Sequence, residues 1–158
     1  MSRAEALDNL SGMIAASKTF RVACAPANSE DRIFSPYVAD PASILYPRVV
    51  IGLDGLRWMR DAGGDQNYLL PQGGFKLWFY DSVRDTDPSV AIKKFLHYVD
   101  SLIYDLASIS GQNDYLSIVA ITEIAQPVIS NPTTTSTMAD TALQPYCFAA
   151  YRVEWNPH

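Results

Sequence analysis

Acid–base or nucleophilic chemistry in this chain would have to be built on two histidines, His97 and His158, and two cysteines, Cys24 and Cys147. A Ser-His-Asp or Cys-His site would have to use His97 with a nucleophile such as Cys147, and neither a GxSxG elbow nor another flanking motif accompanies them. His97 falls on the polar side of a helical pattern, where a solvated imidazole is the ordinary occupant. The cysteines form no CxxC or Cys/His spacing suited to zinc and are too few for a disulfide framework, so reduced, partly buried thiols are expected. Carboxylate pairs such as Asp54 with Asp61 and Asp85 with Asp87 lie among turn residues, where Asp serves local backbone hydrogen bonds. Asp81, Asp85 and Asp87 lack the glycine and terminal Glu spacing of a calcium loop. Gly63-Gly64 and Gly73-Gly74 lack both the GxxxxGK[ST] and the GxGxxG phosphate pattern and read as turn glycines. Phe75, Trp78, Phe79 and Tyr80 could stack bases, but only Lys76 supplies a nearby cation. The expectation is a protein with no catalytic residue, no cofactor site and no metal site, and not an enzyme.

The charge balance points the same way. A formal net charge of −5 opposes general nucleic-acid binding, which needs clustered Lys and Arg, and Lys93-Lys94 is the one adjacent basic pair. An apolar share of 48% with 18% charged residues is that of a globular domain. The 158 residues fit one domain spanning 1–158. The first ten residues carry no apolar export region, and no apolar run approaches membrane-spanning length, so a protein made and kept in the cytosol is expected, without membrane insertion.

The elements that must position these residues are legible in outline. Ser2-Arg3-Ala4-Glu5 is a capping box, and Leu7, Leu10 and Ile14 give the following short helix an apolar stripe that ends near Ala16. Pro26, Pro36, Pro41 and Pro47 break the next stretch into an extended connection, which Ile33, Phe34, Tyr37, Ile44 and Leu45 tack onto the surface. Arg48–Leu53 and Leu56–Met59 read as two strands around an Asp54-Gly55 hairpin turn. After a break at 61–65, Phe75–Tyr80 is a further strand. Asp87-Pro88 opens a long amphipathic helix over about 88–110, with Ile92, Phe95, Leu96, Val99, Leu102, Ile103 and Leu106 on one side and Gly111 as its stop. Tyr115–Ala125 and Cys147–Trp155 are closing strands. Between them a Thr/Ser/Pro-rich segment at about 127–144 reads as a mobile loop. The fold class is α+β: a mainly antiparallel or mixed sheet of about five strands with a short N-terminal helix and one long helix packed on it.

Two strands carry apolar residues on both faces. Phe75, Leu77 and Phe79 oppose Lys76, Trp78 and Tyr80; strict alternation sets Leu116, Ile118, Ala120 and Ile124 against Tyr115, Val119 and Ile121. A sheet with one solvated face normally alternates apolar with polar. Either another subunit covers the second face, with Trp78, Tyr80, Val119 and Ile121 as interface candidates, or the first helix or the Pro-rich connection does.

The order of a capped helix leading into Thr19-Phe20-Arg21-Val22, a Pro-rich connection, strands around Val49-Val50-Ile51 and Trp58, the strand Gly73-Gly74-Phe75-Lys76-Leu77, one long helix, and two strands separated by a polar loop resembles the tail terminator and tail-completion (neck) proteins of long-tailed phages. The resemblance implies a virion structural protein of the tail or neck, made in the host cytoplasm. It also implies a homo-oligomeric, hexameric ring that caps the tail tube and meets head-completion or connector proteins. The ring contacts would come from strand faces and edges, and Thr133, Thr134, Thr135, Ser136 and Thr137 would reach the tube or lumen; DNA passes through such a ring without sequence-specific binding. Another neck or tail-tube subunit is the alternative within that class. A small ligand-binding domain or enzyme, with a pocket between the long helix and the sheet using Trp58, Trp78 or His97, is the alternative outside it.

Overall fold

Ser2 starts the first helix as its type and spacing require. Its hydroxyl accepts from the Glu5 amide at 3.2 Å, and the Glu5 carboxylate accepts from the Ser2 amide at 2.6 Å. The helix, α1 (Arg3–Ala16), buries Ala6, Leu10, Met13 and Ile14. The structure, a computed structural model, describes residues 2–37, 45–60, 69–112, 116–130 and 145–157, without the side chains of 59, 60, 69–71 and 157.

Ser17 ends α1 and caps a second helix, α2 (Lys18–Cys24), which fills the stretch between the first helix and the extended connection. Its fully buried hydroxyl donates to the Asp105 carboxylate at 2.7 Å and accepts from the Phe20 amide at 3.2 Å, while Asp105 also accepts from the Thr19 amide at 3.0 Å. This junction anchors both N-terminal helices to the long one. A 3₁₀ turn (Ser29–Arg32) leads to the two-residue strand β1 (Ile33–Phe34). Those two residues pair parallel with Val49 and Val50, so they belong to the sheet instead of merely touching it.

The main strands are β2 (Arg48–Arg60), β3 (Leu69–Ser82), β4 (Leu116–Ser130) and β5 (Tyr146–Pro157). With β1 they form one mixed sheet of five strands in the order β1-β2-β3-β5-β4, completing a single α+β domain. Asp54-Gly55 is not a hairpin turn. Leu53 pairs with Phe75 and Leu56 with Gly73, so Asp54 and Gly55 together oppose Gly74 in a β-bulge inside one continuous strand. Gly55 has φ +65°, the left-handed conformation such a bulge demands and that glycine adopts without a Cβ clash. The same dipeptide signal serves both devices, which is why local sequence does not separate them.

Gly73-Gly74 also lies within a strand and not in a turn. A Cβ on Gly73 would stand 2.8 Å from the Trp155 ring, and one on Gly74 would stand 2.5 Å from the Asp54 carbonyl oxygen. The glycines let the indole and the bulge close onto β3.

The long helix, α3 (Pro88–Ser110), begins on Asp87, whose carboxylate accepts from the Ser89 amide at 2.9 Å. It buries Ala91, Phe95, Val99, Leu102 and Leu106 against the sheet, while Leu96 is 37% exposed and lies off that stripe. Gly111 ends it in right-handed geometry, φ −63°, so its freedom for positive φ is unused. Pro127 to Ser130 belong to β4 and not to the loop expected at 127–144, because Val128, Ile129 and Ser130 pair with Phe148, Cys147 and Tyr146. The rest of that loop lies outside the described residues.

Asp105 gives this architecture a pH signature. Burial acts to raise its pKa, but the hydrogen bonds from Thr19 and Ser17 outweigh it and hold the carboxyl below the usual range. A depressed folded-state pKa contributes stability above the unfolded value, about 4, and loses it as the pH falls through the lower folded value. Asp105→Asn is therefore expected to lower unfolding stability by about 1–2 kcal/mol at pH 7. In urea titrations the difference from the parent shrinks below about pH 4; a pH-independent difference would contradict the assignment.

Candidate assembly surface

The core cluster lies between the three helices and one face of the sheet, to which β3 contributes Phe75, Leu77 and Phe79 and β5 contributes Ala149, Tyr151, Val153 and Trp155. The alternate residues point the other way. On that outer face, Tyr80 sits 5.2 Å from Phe148 and 5.8 Å from Tyr146 between ring centroids, and Tyr146 stacks on Tyr46 at 6.3 Å. The Arg48 guanidinium lies 4.7 Å from the Tyr80 ring centroid, a cation–π distance. Trp78 lies over Gly52, where a Cβ would stand 2.7 Å from the indole. Val128, paired with Phe148, is 48% exposed at the margin.

The other half of the face is charged. Arg152 lies 3.2 Å from one oxygen of Asp54 and 3.6 Å from Glu154, and Lys76 lies 3.9 Å from the other Asp54 oxygen. Asp54 lies in the bulge, within reach of both cations. Beside them Arg57, Gln72, Arg152, Glu154 and Asn156 line a depression of about 420 Å³.

The interface candidates divide. Trp78 and Tyr80 do share the outer face, but both are half-buried by their neighbours. Ile121 does not join them. A register shift between Ile118 and Ala120 changes the alternation, so Ile121 pairs with the buried Val153 and packs on the core. Val119 is the residue at this bulge and is 58% exposed. A second irregularity between Glu123 and Ala125 leaves Ile124 48% exposed. Thr133, Thr134, Thr135, Ser136 and Thr137 lie outside the described residues. Tyr46, Arg48, Tyr146, Phe148 and Val128 complete the surface without having been singled out beforehand. Stepping back by twos from Glu154 and Arg152 on β5 reaches Ala150 and Phe148, so the alternation carried that signal for Phe148.

The Pro-rich connection contributes a partial cover. The Tyr37 hydroxyl accepts from the Leu53 amide at 2.9 Å, and Pro36 lies 3.4 Å from the position of a Cβ on Gly52.

The carboxylates singled out for possible chemistry have structural partners. Asp85 accepts from the Asp87 amide and pairs with Lys94, both at 3.1 Å. Asp81 is buried, which raises its pKa, against the opposing attraction of Arg84 at 3.2 Å. Asp61 lies outside the described residues. Between α3 and the end of the sheet, Asp81, Arg84, Lys94, Phe95, Tyr98 and Cys147 line a cavity of about 230 Å³. That is smaller than ordinary small-molecule sites, about 300–1,000 Å³. Trp58, Trp78 and His97 do not line it. His97 is exposed on α3. Among the described residues no three His, Cys, Asp or Glu side chains are grouped to hold a metal, and no helix is long and apolar enough to cross a membrane.

No protein-family model matches this chain, and no curated protein matches it.

Cys24 and Cys147 are both buried, and burial pushes each thiol up to about 11. At pH 8 about one thiol in a thousand is then the reactive thiolate. An aromatic disulfide reagent should modify native protein at least about 100-fold more slowly than urea-unfolded protein; comparable rates would contradict the burial.

Proposed function

We propose that this chain is an assembly subunit of the tail-terminator kind: a virion structural protein whose copies form a ring that caps a tail tube and joins tail to head. The observation that carries the assembly role is the outer sheet face. It bears a cluster of aromatic rings and Arg48 beside an ion-pair network, while all three helices pack on the opposite face. Aromatic and Arg side chains on a partly desolvated surface with a charged margin are the composition that protein interfaces favour. The resemblance in size and element order supports the more specific role. In this reading the outer face is covered by another protein chain in the virion, and function lies in recognition of that chain.

The test is a charge placed at the margin of the aromatic patch. Val128→Glu adds a carboxylate beside Phe148 at a side chain already 48% exposed. It should change unfolding stability by no more than about 0.5 kcal/mol, while raising at least tenfold the concentration at which oligomers form. Tyr104→Glu, at a residue 74% exposed on α3, is the control and should assemble like the parent. Size-exclusion chromatography with light scattering reads both. Unimpaired assembly of Val128→Glu would remove the outer face from the interface; equal impairment of Tyr104→Glu would make the effect nonspecific.

A further inference from the structure

We draw no further inference here: the strongest candidate, the cavity of about 230 Å³ between α3 and the end of the sheet, carries nothing because its ionic groups already have protein partners, Asp81 with Arg84 and Lys94 with Asp85, and nothing in the structure shows what would enter it.

Discussion

Strand side chains alternate between two faces, and α1, α2 and α3 all lie on one of them, so the sheet is folded from a single side. That constraint organises the remainder. Phe75 stacks on Trp155 at a centroid distance of 5.9 Å, and Phe79 meets Tyr151 edge-on at 5.6 Å. These contacts form the layer on which Leu102, Leu106 and Phe20 close. Gly73 is required because the Trp155 ring occupies the space of its side chain, and Asp105 is required because two helices meet α3 at Ser17. Burying one aromatic or aliphatic side chain of this kind contributes about 1.5–3 kcal/mol, so this layer supplies a large share of the burial that opposes chain entropy.

The opposite face of the sheet lies away from α1, α2 and α3. Its two halves are built differently. The aromatic half shields itself, with Tyr80 between Phe148, Tyr146 and Arg48, which keeps a large apolar surface compatible with an isolated chain. The charged half is centred on Asp54, in the bulge, which reaches both Lys76 and Arg152. A bulge conserves the strand while re-aiming one side chain, which is the use such irregularities commonly serve. A partner seated here would meet rings at one end and paired charges at the other, a combination that orients it as well as holding it.

Much of the fold was legible wherever one local rule acted alone. The capping box at Ser2 and Glu5, the Asp87-Pro88 start and the stripe through Phe95, Val99, Leu102 and Leu106 each stand where the spacing places them, while Leu96 falls outside the buried stripe. Legibility failed where two physical solutions share one signal. Asp-Gly favours a hairpin turn and a glycine bulge alike, and only the pairing of Leu53 and Leu56 with β3 decides between them. Ser17 reads as the end of one helix, although Asp105, 88 positions away, turns it into the cap of the next. Period-two reasoning on β4 misplaced Ile121 because bulges change the phase, and a bulge is set by what the neighbouring strand requires. Trp78 and Tyr80 lie on the outer face along an unbroken stretch of β3, whereas Val119 sits in an interruption of β4 and Ile121 follows it on the core side.

The central claim is that another chain covers the outer face and that copies of this chain close into a ring, and solution mass tests it most directly. Sedimentation velocity of the unmodified protein over a hundredfold range of concentration should show one dominant species whose mass is a fixed whole multiple of the chain mass and ceases to grow at the highest concentrations. A monomer at every concentration would contradict the account. So would a mass that rises without limit, because an open filament leaves the ring unclosed.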